Sequence, residues 1–227
     1  MYDVEFTTTA CIRPDVLEKT YKSFSKNLVD MNLKDFTLYI NVDPLPEKSP
    51  FSRKDVVAVA KRYFGTVVAN MPDEANFCRA IKWLWHQPKS KYVFHIEDDW
   101  QLLKSIPFSD ILKRFKKYRG LYQVRLNKNP EKKSATRLYG LSPCVCRMDF
   151  YQAVAANLNP KRNPERQLRD VKGWGLAQPR KDRVMPFPKR ETIVKDIGRE
   201  WRVKFGMSKE INENKFVKWK YMKRIEK

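Results

Sequence analysis

Histidine, cysteine and glycine are all scarce in this chain. Among 227 residues there are two histidines (His86, His95) and four cysteines (Cys11, Cys78, Cys144, Cys146), with no C-x-x-C pair. That excludes the common structural zinc sites and makes reduced thiols the default. Seven glycines and 14 prolines stand against 42% hydrophobic and 13% aromatic residues. Collagenous, low-complexity and fully disordered classes are thereby excluded, and the length suffices to bury a core without disulfides. No run approaches the roughly 18 consecutive apolar residues of a membrane span. Met1-Tyr2-Asp3-Val4-Glu5 lacks the basic and apolar stretches of a secretory signal. The sequence therefore reads as a soluble, cytoplasmic protein with no transmembrane segment.

What the chain has in excess is positive charge. Lys and Arg number 47 against 26 Asp and Glu, a formal net charge of +21. The excess is uneven: residues 1–100 carry 14 basic and 14 acidic side chains, residues 101–160 carry 12 and 3, and residues 161–227 carry 21 and 9. A neutral first stretch followed by a basic one suggests two tasks, the second involving a polyanion such as nucleic acid or an anionic surface. A basic surface kept for solubility is the plainer alternative.

The first hundred residues alternate short β-branched or aromatic runs with helical patterns, the signature of βαβ units and a mostly parallel sheet. Strands are expected at 4–9, 36–42, 66–69 and 92–96. A helix should follow Pro14, a second should be capped by Ser52 and ended by Gly65, and a third should span about 74–86. Further on, the pattern predicts a helix over 107–118, strands at 122–126 and 144–147, and a helix over 149–157. Residues 127–137 read as a polar loop. Residues 159–192 are rich in Pro, Lys and Arg around Gly173-Trp174-Gly175, and residues 213–227 read as a basic amphipathic helix. Trp83, Trp85 and His95 are assigned to packing.

The fourth strand runs straight into Glu97-Asp98-Asp99-Trp100. Three adjacent carboxylates repel one another and are tolerated where a divalent cation neutralises them; oxygen ligands suit Mg²⁺ or Mn²⁺. The carboxyl end of a buried strand is also where open α/β sheets form ligand crevices. A solvated acidic turn is the competing reading.

A strand ending in Ile96-Glu97-Asp98-Asp99-Trp100, about ninety residues after an N-terminal strand, resembles the DxD region of nucleotide-sugar glycosyltransferases of the GT-A fold. The resemblance covers most of the chain and implies an α/β, Rossmann-like, mostly parallel sheet flanked by helices. Residues 1–100 would be the donor-binding half and residues 101–227 the basic acceptor-binding half of one domain. It implies that the stretch from Thr8 to Arg13 grips the nucleotide base, and that Asp43, in Asn41-Val42-Asp43, contacts ribose or base. Asn76 and Arg79 fall where base and diphosphate contacts are placed. Asp99 would ligate the metal that bridges the donor diphosphate, with Glu97 supporting ribose or metal and Asp98 beside them in the donor site. The triplet is Glu-Asp-Asp rather than Asp-x-Asp, which leaves the division between Glu97 and Asp99 open. In the late segment, Asp196 stands where the family frequently has His, and Arg199 or Arg202 is placed to grip phosphate. The cofactors implied are Mn²⁺ or Mg²⁺ with a UDP-sugar donor.

An inverting transferase needs a carboxylate to take the acceptor hydroxyl proton. Asn163-Pro164-Glu165-Arg166 is a helix-opening arrangement that offers Glu165 for this, with Asp170 and Asp149 as rivals. The basic half then meets the acceptor. Arg and Lys neutralise phosphates while Trp and Tyr stack on bases, so the preferred acceptor is DNA bearing a hydroxymethylated pyrimidine. The small, His-poor, Lys-rich chain resembles in style the bacteriophage enzymes that glycosylate modified viral DNA. A polysaccharide or lipid-linked acceptor is the second reading. A nucleic-acid-binding protein or Mg²⁺-dependent nuclease is the third, although no second acidic cluster is evident. No obligate protein partner is inferred.

Overall fold

The computed structural model describes residues 2–129, 139–168, 183–211 and 217–221. Seven strands form one sheet in the order β3-β2-β1-β4-β7-β6-β8. They are β1 (Val4–Ala10), β2 (Thr37–Val42), β3 (Thr66–Asn70), β4 (Tyr92–His95), β6 (Gln123–Leu126), β7 (Cys144–Arg147) and β8 (Val184–Phe187). β1 is parallel to both β2 and β4, β2 is parallel to β3, and β6 is parallel to β8; β7 runs antiparallel to β4 and β6. The sheet is thus mostly parallel, as the alternating pattern predicts, and strands from both sides of residue 100 contribute to it.

Helices cover both faces. α1 (Pro14–Asn27) and α2 (Arg53–Tyr63) pack together over one face, where Phe6, Phe24, Phe64 and Phe94 share a core. α3 (Phe77–His86) and α5 (Met148–Asn157) cover the other, where Trp85 stacks on Tyr151 with ring centroids 3.7 Å apart. α4 (Phe108–Lys117) adds Phe108, Ile111 and Phe115 to the same core as α1, its Phe108 against Tyr2 and Phe94 and its Phe115 against Tyr92.

Local sequence explains the helix starts. Pro14 opens α1, and Ser52 and Asp55 form a reciprocal capping box on α2. Asn76 caps α3, so that helix begins at Phe77 and not at Glu74. Gly65 follows the end of α2 and precedes β3, as expected. Its role there is close approach, since a Cβ would stand 2.2 Å from the Lys34 carbonyl oxygen.

The remaining elements are short. α6 (Pro164–Gln167) lies within the Pro- and Arg-rich stretch. β5 (Trp100–Leu102) pairs antiparallel with β9 (Val194–Asp196), which leads into α7 (Gly198–Lys204). The basic tail is a hairpin where described, β10 (Met207–Ile211) against β11 (Val217–Tyr221), and not the expected helix. Val217, Trp219 and Tyr221 recur every second residue, a strand period in a β-favouring composition. Asp170, Gly173-Trp174-Gly175 and most of the 127–137 loop lie outside the described residues, and no helix among the described ones is long and apolar enough to cross a membrane.

Candidate active site

Strand order reverses at β1, whose sequence neighbour β2 lies on one side and β4 on the other. Such a switch point splays the loops that leave the two strands and opens a crevice at their carboxyl ends. A cavity of about 220 Å³ lies there. Its walls come from the end of β1 (Thr9, Ala10, Cys11, Arg13), the loop after β2 (Asp43, Leu45), the start of α3 (Ala75, Asn76, Phe77), the turn after β4 (Glu97, Asp98, Asp99) and α6 (Asn163, Pro164, Glu165). Asn76 also borders an adjoining hollow of about 350 Å³ lined by Asn41, Asn70 and Arg79. The fold thus gathers Arg13, Asp43, Asn76, Glu97, Asp98, Asp99 and Glu165 around one space, with Arg79 next door.

The three carboxylates of the acidic turn have different surroundings. Asp98 is 3% exposed, and its oxygens accept from Arg13 Nε at 2.7 Å, Arg13 Nη2 at 2.5 Å and the Cys11 backbone N–H at 2.9 Å. Burial pushes its carboxyl above the ordinary value, against the pull of the Arg13 charge. Burial opposes the charge on Arg13 too, but attraction from Asp98 and Asp99 outweighs it and raises the guanidinium pKa further. Asp99 Oδ2 accepts from Arg13 Nη2 at 2.9 Å. Glu97 Oε2 accepts from Trp100 Nε1 at 2.8 Å.

Asp43 stands beneath the second wall. Burial raises its carboxyl to about 6, while the Asn41 side-chain amide, donating at 2.8 Å, pulls the other way. Asn70 donates in turn to Asn41 Oδ1 at 2.7 Å, so an amide relay fixes Asp43 from the neighbouring strands. Glu165 lies in the first turn of α6, capped by Asn163, and its Oε1 accepts the Leu141 N–H at 3.3 Å.

Several expected positions fall elsewhere. Thr8 is buried on the α1 side, where its hydroxyl accepts from Tyr21 at 3.0 Å, and Thr9 lines the cavity in its place. Strand parity carries that signal, because Thr8 shares the face of the core residue Phe6. Arg13 and Asp98 border the cavity but bind each other there. Arg199 is exposed, and neither it nor Arg202 borders the cavity. α7 reaches the site through Trp201, whose ring lies 5.7 Å from the Arg13 guanidinium. Asp196 is exposed, and its Oδ1 accepts the Gly198 N–H at 2.9 Å. His95 is buried beside Thr7, and burial lowers its pKa to about 3, so it packs as a neutral ring.

Among the described residues no three His, Cys, Asp or Glu side chains converge as a ready-made metal cage, so Glu97, Asp99 and Asp196 do not form one. Trp100, Arg13 and the Gly198 N–H hold them in separate directions. The donor set fits Mg²⁺ or Mn²⁺ in another way. Those ions usually take one or two carboxylates plus substrate phosphates, and Asp99 borders the cavity with no described hydrogen bond on its Oδ1.

No family model and no curated protein matches the chain. Solved structures do match in fold. One is the mannosyltransferase PcManGT of Pyrobaculum calidifontis, solved in complex with GDP-Man and Mn²⁺ (TM-score 0.62, 8% identity, covering 82% of this chain and 55% of that one). Another is TarS 1-349 of S. aureus (TM-score 0.61, 9% identity, 86% and 61%). A third is a cytidylyltransferase of Leptospira borgpetersenii serovar Hardjo-bovis (TM-score 0.54, 10% identity, 89% and 84%). The chain spans little more than half the length of the first two. With its seven-stranded, mostly parallel sheet and flanking helices, the chain has the GT-A-like, Rossmann-like fold.

Proposed function

We propose that the chain is a nucleotide-sugar-dependent glycosyltransferase that moves a sugar to a hydroxyl on a polyanionic polymer, namely a 5-hydroxymethylated pyrimidine of DNA. The observation that carries the reading is the switch-point cavity, which has Asp43 on one wall, the Glu97–Asp99 turn on another and Glu165 on a third. Asp43, Asn41 and the hollow beside Arg79 take the base and ribose of a UDP-sugar. Asp99, supported by Glu97, faces the diphosphate, and a bound Mn²⁺ or Mg²⁺ would stabilise the charge of the departing nucleoside diphosphate. Occurrence of GDP-Man and Mn²⁺ together in PcManGT accords with this.

Glu165 enters the cavity from the acceptor side. Its carboxylate accepts the proton of the acceptor hydroxyl while the oxygen bonds to the anomeric carbon. The bond from that carbon to the diphosphate breaks, and its electron pair leaves with the nucleotide. Lys161, Arg162 and Arg166 are exposed around Glu165, where a phosphate backbone would meet them. The protein would act in the cytoplasm, the host's if it is viral.

Incubation with a panel of nucleotide sugars and either hydroxymethylated or plain DNA, followed by digestion to nucleosides and mass spectrometry, tests the reading. A gain of one hexose or pentose on the hydroxymethylated nucleoside alone is the expected result. Donor turnover without DNA labelling would retain the transferase and reject the acceptor. Inertness toward every donor would reject both.

A further inference from the structure

The geometry points to Arg13, together with Asp98, as the pair that positions the Asp99 carboxylate for a divalent cation, an inference that rests on the transferase reading above. Arg13 follows β1, and Asp98 and Asp99 follow β4. Parallel pairing of these strands, from Val4 opposite Tyr92 to Thr7 opposite His95, brings the two segments side by side. Nε and Nη2 of Arg13 grip Asp98 with two prongs at 2.7 and 2.5 Å, and Nη2 extends to Asp99 Oδ2 at 2.9 Å. Asp98 is anchored in turn, its Oδ2 by the Cys11 N–H and its carbonyl by the Thr20 hydroxyl at 2.8 Å.

The guanidinium is held from its other side as well. The Trp201 ring lies 5.7 Å from it, and Trp201 packs with Val16, Ile197 and Met207. Arg13 itself is 4% exposed. A planar fork caught between a carboxylate and an indole has one orientation, so Asp99 Oδ2 is fixed by it. Among the described residues no hydrogen bond engages Asp99 Oδ1, which leaves that oxygen for the cation. One positive charge between two carboxylates also leaves one net negative charge, where the two alone would repel and swing apart.

Stability alone is a poor account of this arrangement, since a buried ion pair often gains little over apolar side chains of similar volume. Groups that orient a metal's carboxylate ligand typically change metal affinity 10–100-fold when altered. Arg13→Lys keeps the charge and loses the fork. Electron paramagnetic resonance of Mn²⁺ in the presence of UDP reads the site without any turnover, with Asp99→Asn as the reference for its loss. Folded Arg13→Lys should bind Mn²⁺ in the presence of UDP about 10–100-fold more weakly than wild type. A merely structural role would lower the melting temperature and leave the affinity of the folded protein intact, and that result overturns the assignment. Where the lysine variant does not fold, Asp98→Asn keeps the volume, throws the whole Arg13 charge onto Asp99 and should weaken Mn²⁺ in the same direction. Unchanged affinity in that variant also overturns it. Wild type that takes up neither Mn²⁺ nor UDP removes the transferase reading and this inference together, whereas tight wild-type binding with an indifferent Arg13 variant removes the inference alone.

Discussion

Gly198 stands so close to Asp99 that a Cβ on it would lie 2.1 Å from Asp99 Oδ2 and 2.8 Å from Asp99 Cβ. Asp99 is tied at both ends, its Oδ2 by Arg13 Nη2 at 2.9 Å and its carbonyl, which accepts the Ile197 N–H, at 2.8 Å. Gly198→Ala must therefore displace either Asp99 or the β9–α7 segment. A misplacement of about 1 Å near reacting groups costs on the order of 100-fold in rate. Gly198→Ala should lower donor turnover by about that factor while circular dichroism remains that of wild type. Full activity in a folded variant would show that the Asp99 position is not critical.

Asp43 separates stability from function by pH. Its folded carboxyl titrates at about 6, against an ordinary value of 3.8. Between those values the native state binds the proton more tightly than the unfolded state, so folding loses stability as pH rises from about 4 through about 6. At pH 8 the ionised, buried carboxylate costs on the order of 3 kcal/mol. Asp43→Asn retains an acceptor for the Asn41 amide and removes that cost. It should raise the melting temperature at pH 8, leave it little changed at pH 4, and weaken UDP binding. A variant that melts lower at pH 8 would show that the charge is compensated in the native state.

The Trp85–Tyr151 stack joins α3 to α5 and thereby sets the α3 wall of the cavity. Trp85 is fully buried, and its indole N–H has no hydrogen-bond partner among the described residues. Trp85→Ala should cost about 3–5 kcal/mol, as large-to-small changes of buried aromatics do. Trp85→Phe should cost clearly less, because it removes an unsatisfied donor along with the lost area. Chemical denaturation of the two variants measures both, and equal losses would mean that the indole nitrogen finds a partner.

Much of this was legible before the structure. Parallel strands announced themselves as β-branched and aromatic runs, Ser52 as a cap, Pro164-Glu165 as a helix opening, and the acidic turn as a chemical outlier. What stayed hidden depends on contacts between distant segments. Arg13 and Asp98 are 85 residues apart, and only the β1–β4 pairing brings Arg13 onto the acidic turn. β5 and β9 have three residues each, too few for a periodic signal, so the Asp99–Gly198 contact they create could not be read. In the tail, Lys and aromatic residues alternate in a way that satisfies a helix wheel loosely and a strand period better.

Glu165 offers the sharpest test of chemistry because it borders the cavity from α6, apart from the β1, β2, α3 and β4 segments that line the rest. α6 places it by its cap and by proline at the first turn, and its hydrogen bond to Leu141 is long enough to yield to an acceptor. Glu165→Gln is nearly isosteric, so the cap and the fold remain, but the amide cannot take a proton. General bases contribute typically 10²–10⁴-fold, and kcat for sugar transfer should fall within about that range. The KM for the nucleotide sugar should stay near wild type, since no donor contact is lost. A folded variant with wild-type kcat, or one whose loss lies wholly in donor KM, would assign Glu165 to helix α6 alone and move the search for the base to another carboxylate.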